Sequence, residues 1–189
     1  MIFTAIEQIP LFRYGVILAD PAWLFANYSE KGEVKNPVAH YDCLPTDEMA
    51  KWPVADVAKP DSVMVMWGCW PMAPDAFRLL AAWGFTYKTG GAWAKQSSTG
   101  QRLAFGPGYI YRAASEFWIV GTIGQPRVKS RSIRNLILAP VREHSRKPDQ
   151  MHGDIEALWD GPYLELFARQ PRVGWDAFGN DAEKFEAVA

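Results

Sequence analysis

Cysteine is scarce in this 189-residue chain: there are two, Cys43 and Cys69, and they form no C-x-x-C pair. The three histidines, His40, His144 and His152, show no zinc-ligand spacing relative to them, which argues against a structural metal and against a disulfide scaffold. Both thiols read as reduced, buried and structural. Residues 1–10 include Glu7 and Gln8 and lack the basic start and apolar run of a secretory signal. No window approaches about 18 uninterrupted apolar residues. The expected compartment is therefore the cytoplasm, with no membrane partner. An excess of either charge is missing as well, with 20 Lys and Arg against 21 Asp and Glu.

What is present is apolar: 49% of residues are hydrophobic and 14% aromatic. A chain of this length buries about 70% of the surface it exposes when unfolded, enough for a well-cored fold without metal or disulfides. The expectation is a single domain over residues 1–189, too short to add a separate target-recognition domain. The balanced charge also hides a segregation. Residues 88–147 carry eleven basic side chains, among them Lys95, Arg102, Arg112, Arg131, Arg134 and Lys147, against only Glu116 and Glu143. That stretch is +9 and the remainder −10. Clustered cations suit a polyanion-facing surface, although basic loops are also commonly just solvated.

Along the chain, Y-G-V-I-L-A at residues 14–19 reads as a buried parallel strand ending at Asp20-Pro21. Its carboxyl end is where open α/β sheets place functional groups. A short helix is expected over residues 45–52, a buried strand over 62–67, and an amphipathic helix over 74–83 stopped by Gly84. Residues 85–88 and 92–95 look like strand segments broken at Gly90-Gly91, and residues 116–122 like another strand. The Gly/Ser/Pro-rich stretch 96–108 reads as a long mobile loop, and residues 125–134 have the same character. A short apolar run at 135–140, a helix over 148–159 begun at a proline, and a last buried strand at 163–168 complete an alternation of strand and helix. Trp52, Trp67, Trp83, Trp118 and Trp159 are expected to face inward, with Trp70 and Trp93 undecided.

Asp20-Pro21-Ala22-Trp23 directly after a strand is the strongest local signal. An exocyclic amine on a nucleobase is conjugated with its ring and is a poor nucleophile. The Asp20 carboxylate and the Pro21 carbonyl suit acceptance of its two N–H bonds, which localises the lone pair and stabilises the positive charge that develops on attack. Proline fixes φ and pre-aims the carbonyl, and Trp23 offers a face for stacking the base. The same four residues also read as an ordinary strand-to-turn junction.

The order of further motifs decides between these. D-P-A-W is followed by H-Y-D-C-L-P-T-D-E-M (residues 40–49), V-M-V-M-W-G (63–68), W-G-F (83–85), A-W-A-K (92–95), S-R-K-P-D (145–149), E-L-F-A-R (165–169) and G-W-D-A-F-G-N-D (174–181). Over nearly the whole chain this resembles the DPPW-type adenine-N6 methyltransferases, the family of the catalytic subunit of the eukaryotic messenger-RNA adenosine methyltransferase and its bacterial and phage relatives. The resemblance implies a Rossmann-like α/β fold, a mostly parallel sheet with helices on both faces, in the circularly permuted order with the catalytic motif first and the cofactor motif last. It implies S-adenosylmethionine as cofactor. Asp20, Pro21 and Trp23 would hold the adenine, and Tyr41 would close over base or cofactor. Lys147 would pair with the methionine carboxylate, with Asp20 beside it, and Arg169, Asn180 and Asp181 would hold the ribose and adenosine end.

Three departures stand out. The second proline of the motif is Ala22, Pro171-Arg172 replaces a histidine found after the arginine in some members, and Asp181 is shorter than the usual Gln or Glu. The implied activity is N6-methylation of adenine in DNA by a phage or bacterial modification enzyme, with RNA as the alternative substrate. Arg112, Arg131 and Arg134 would contact the nucleic acid. A catalytically silent nucleic-acid-binding partner is the rival from another class, opposed by the intact Asp20, Pro21, Trp23 and Lys147. Methylation of cytosine N4 is the enzymatic rival, usually marked by S-P-P-x. A homodimer would double the basic surface.

Overall fold

The computed structural model describes residues 1–24, 43–143 and 146–179 and builds them around one eight-stranded sheet. In chain order its strands are β1 (Ile2–Phe3), β2 (Tyr14–Ala19), β3 (Ala58–Gly68), β4 (Thr86–Gln96), β5 (Ser115–Ile123), β6 (Leu136–Pro140), β7 (Tyr163–Leu166) and β8 (Trp175–Phe178). Their spatial order is β1-β8-β7-β2-β3-β5-β4-β6. Neighbours are parallel throughout, except that β5 runs antiparallel to both β3 and β4. The mostly parallel α/β architecture expected from the sequence is the one observed.

Strand alternation divides the core in two. Ile17 and Ala19 of β2 join Met64 and Met66 of β3 in one cluster, and Val16 and Leu18 join Val63 and Val65 in the other. This is why the run at 14–19 shows no polar alternation: a central parallel strand has both faces covered. Helices α1 (Thr46–Met49), α2 (Val54–Val57) and α3 (Ala73–Ala82) cover the first face, α3 through Ala76, Leu79 and Leu80. Helix α4 (Gln150–Leu158) covers the second through Met151 and Ile155. Gly84, at φ +83°, ends α3 as its position suggested.

Three local expectations are corrected. Gly90-Gly91 does not break β4, which runs unbroken through it; the register shift falls between Tyr87 and Thr89. Glycine is needed there because the Trp118 indole lies 2.2 Å and the Asn135 carbonyl 2.5 Å from where a Gly91 Cβ would stand. The strand at 163–166 is not the last, since β8 follows it and β1 pairs beyond β8. The helix expected over 45–52 spans only Thr46–Met49. The stretch 96–108 forms no helix or strand beyond Gln96, as expected of a long loop, and is tied by hydrogen bonds in which Ser97 donates to the Arg102 carbonyl, Ala104 to Lys95 and Gly106 to Ala113. Of the tryptophans, Trp67, Trp83, Trp93, Trp118 and Trp159 are buried and Trp52 partly so, while Trp70 is 55% exposed. Cys43 and Cys69 are unbridged but half-buried rather than buried.

Candidate active site

Parallel strands bring their carboxyl ends to one edge of the sheet, and the reversed β5 brings its first residues to the same edge. Asp20 therefore leaves β2 there, its N–H donating to the Leu166 carbonyl of β7 at 3.3 Å. Lys95 arrives near the end of β4 and Glu116 at the start of β5. Residues 146–149, between β6 and α4, bring Lys147. These four side chains form one continuous ionic chain. Lys147 Nζ donates to Asp20 Oδ1 at 2.8 Å and Oδ2 at 2.7 Å, and lies 3.4 Å from Glu116 Oε2. Lys95 Nζ donates to Glu116 Oε1 at 2.6 Å. The Lys147 ammonium also sits 5.7 Å from the centroid of the Trp67 ring, which favours the charged form.

Burial and partners compete over the charges here. Burial alone would lower the Lys147 ammonium, yet the Asp20 and Glu116 carboxylates outweigh it and hold it above its ordinary value. For Glu116, burial raises and the ammonium groups of Lys147 and Lys95 lower, and the cations prevail. Cys69, just past β3, shows the opposite balance: burial, then the Glu116 charge, pushes its thiol up to about 11. It stays protonated and is no nucleophile at neutral pH. The position of Lys147 is itself braced, since Arg142 donates to both oxygens of Asp149, at 2.6 and 3.1 Å, and to the Lys147 carbonyl.

Beside this ionic chain lies an open cleft. Asp20, Lys147, His152, Glu165, Phe167 and Arg169 are among the residues that line it. His152 and Glu165 face each other at 2.9 Å through Nε2 and Oε2, while the buried His152 Nδ1 has no hydrogen-bond partner among the described residues. Phe167, directly after β7, holds φ +62°, a left-handed conformation that costs a bulky residue free energy. Its ring is fixed by stacking on Trp52 at 5.1 Å.

Asp20, Lys147 and Arg169 are thus brought to one place. The Pro21 carbonyl accepts the Trp23 N–H at 2.8 Å, and the Ala22 carbonyl accepts the Leu44 N–H at 3.1 Å, so the turn is held although its second proline is missing. The open stacking face expected at Trp23 is not seen: the residue is 5% exposed, and its Nε1 has no hydrogen-bond partner among the described residues. Arg112 stands apart on the projection between β4 and β5, its guanidinium 5.2 Å from the Phe105 ring. Arg131 and Arg134 are exposed on the segment before β6. Tyr41, Asn180 and Asp181 lie outside the described residues, as does Ser145 of S-R-K-P-D. Sequence reasoning missed Glu116, Lys95, His152 and Glu165. The signal for Glu116 was available, as one of only two acids in a stretch of net charge +9.

The chain matches the MT-A70 family over residues 14–181. It belongs to that family. It is 29% identical over 191 residues to the type II methyltransferase M.MunI of Mycoplasma sp, a match covering 91% of this chain and 79% of that protein. It is 29% identical over 174 residues to the N(6)-adenosine-methyltransferase MT-A70-like protein of Arabidopsis thaliana, covering 90% of this chain and 24% of that one. To the human N(6)-adenosine-methyltransferase catalytic subunit METTL3 it is 27% identical over 178 residues, covering 92% and 29%. The chain therefore spans about a quarter of these eukaryotic relatives. Among the described residues no helix is long and apolar enough to cross a membrane, and no group of three or more His, Cys, Asp or Glu is placed to hold a metal ion.

Proposed function

We propose that this chain transfers a methyl group from S-adenosylmethionine to N6 of adenine in nucleic acid, with DNA as first substrate and RNA as second. The observation that carries it is Asp20 at the carboxyl end of β2, in a chain of the MT-A70 family, opening on a cleft whose groups suit this cofactor. Lys147 offers an ammonium to a carboxylate, Glu165 an acceptor to ribose hydroxyls, and Arg169 and His152 Nδ1, which has no hydrogen-bond partner among the described residues, further polar contacts. When bound, S-adenosylmethionine supplies a methyl group on a sulfonium centre.

The chain's own groups prepare the amine. Asp20 accepts one N–H, and the Pro21 carbonyl, with one lone pair taken by Trp23, has its second for the other. Asp20 holds a full negative charge where positive charge develops. For this, Lys147 yields one Asp20 oxygen. Glu116 Oε2 stands 3.4 Å from the ammonium, which therefore keeps an ionic partner. The compartment proposed for this reaction is the cytoplasm. DNA is placed first because the chain is similar to a Mycoplasma type II methyltransferase, and RNA second because it is similar to eukaryotic N(6)-adenosine methyltransferases.

The test is methyl transfer from labelled S-adenosylmethionine to duplex DNA, single-stranded DNA and RNA, with nucleoside analysis and Asp20→Ala as control. N6-methyladenine that vanishes in the variant supports the reading. N4-methylcytosine as product, or cofactor binding without transfer to any substrate, overturns it.

A further inference from the structure

The connection between β4 and β5 is a built projection whose outer surface the proposed chemistry does not use. It rises from the active-site edge itself: Lys95 and Glu116, bonded to each other at 2.6 Å, flank its two ends. The pairing continues outward through bridges Gln96 to Leu103 and Gly106 to Ala113. Its outer turn is tight, for a Cβ on Gly108 would meet the Tyr111 carbonyl oxygen at 2.0 Å. That turn presents Ile110 at 90% exposure and Tyr111 at 88%, with Tyr109 and Phe105 also exposed. Apolar and aromatic groups so concentrated on one turn mark an interaction surface. Between Lys95 and Glu116 the only charged residues are Arg102 and Arg112, both exposed. At the base, Trp70 is exposed and donates from Nε1 to Ser115 Oγ at 3.0 Å.

Exposed rings interleaved with cations and no acid fit a partner that is anionic and has flat faces. We infer that this projection binds the nucleic-acid strand flanking the target base, Tyr109 and Tyr111 stacking on unpaired bases while Arg102 and Arg112 meet phosphates. A second copy of this chain fits less well, because it would bring the same basic residues against one another. The inference rests on the proposed function in taking nucleic acid as the substrate, and it adds where the strand lies and that the tip favours unstacked bases.

The experiment uses the full chain with Tyr109 and Tyr111 both changed to Ala, and separately Arg102 and Arg112 both changed to Ala. Binding to a fluorescein-labelled single-stranded 20-mer is followed by anisotropy across a salt series, with methyl-transfer kinetics and solution mass alongside. Removing the rings is expected to weaken single-strand binding about 10- to 100-fold with an unaltered salt slope. Removing the arginines should flatten that slope by up to about 1.4. With the rings gone, KM rises while kcat at saturating strand and cofactor affinity hold, and Tyr111→Trp retains binding. Unchanged affinity in the tyrosine variant overturns the inference. So does a fall from dimer to monomer mass that accounts for the loss, which would make the projection a self-association surface. Binding that depends on the tyrosines in a chain that forms no N6-methyladenine would sink the proposed reaction and leave this inference standing.

Discussion

Lys147 lies 127 residues from Asp20 in sequence and donates to both of its carboxylate oxygens, at 2.8 and 2.7 Å. The carboxylate proposed to receive an amine is thus already engaged by a cation, and that cation has a second anionic partner, Glu116. Changing Asp20 to Asn removes the charge while keeping the shape and leaves Lys147 with Glu116. Methyl transfer is expected to fall about 100- to 1,000-fold with cofactor affinity by calorimetry close to that of the unchanged chain, while the lost ion pair costs about 1.5 to 3 kcal/mol of stability. Full activity in Asp20→Asn would reduce Asp20 to an anchor for Lys147.

Glu116 makes a prediction about pH. Its carboxyl is held below the ordinary 4.5, so the stability it contributes is complete above that value and lost as pH falls through the lowered one. Lys147 is held above the ordinary 10.5, so its contribution is complete below that and lost as pH rises through the raised one. Glu116→Gln should therefore cost about 1.5 to 3 kcal/mol of unfolding free energy, constant from about pH 6 to about pH 9 and shrinking in acid. Denaturant melts of both proteins across this range measure it. A difference that varies through neutral pH would show that another group titrates with the pair.

What the sequence revealed was what is local. A continuous apolar run ending in a carboxylate needs no partner to be read, and β2 with Asp20 stands where that run placed them. Lys147 was legible only through the order of several motifs. Glu116 beside Lys95 was not, because their meeting depends on the antiparallel register that sets Trp93 opposite Glu116, a pairing no local pattern encodes. β8 escaped notice because it is four residues long and contains an aspartate, Asp176, which accepts the Tyr14 hydroxyl hydrogen at 2.8 Å. Gly90-Gly91 misled for the opposite reason: glycine weakens strands locally, and its presence is explained by Trp118 and the Asn135 carbonyl packed against β4.

That packing gives a paired prediction about stability. Gly91→Ala drives a methyl into the Trp118 indole and the Asn135 carbonyl and should cost about 1 to 3 kcal/mol. The melting temperature should then drop by about 2 to 4 °C per kcal/mol. Gly153 lies within α4 with nothing within 4 Å of its would-be Cβ. There the same substitution should stabilise by about 0.5 to 1 kcal/mol through helix propensity and a less flexible unfolded chain. Opposite signs by calorimetry are expected, and equal effects would mean that β4 relaxes freely around Trp118.

The cationic excess is partly consumed inside the molecule, which narrows where phosphates are held. Lys95, Lys129, Arg142, Arg146 and Lys147 all have carboxylate partners. Arg131 and Arg134 are exposed and have no ion pair among the described residues. If they meet phosphates, each releases counterions on binding, so changing both to Ala should flatten the dependence of log affinity on log salt by about 1.8 for duplex DNA, equally for unrelated sequences. Lys129→Ala is the control, because its ammonium already sits 2.9 Å from Asp160 and should leave the slope nearly unaltered. A slope unchanged by the arginine pair would remove the segment before β6 from the interface and leave the β4–β5 projection as its main cationic contact.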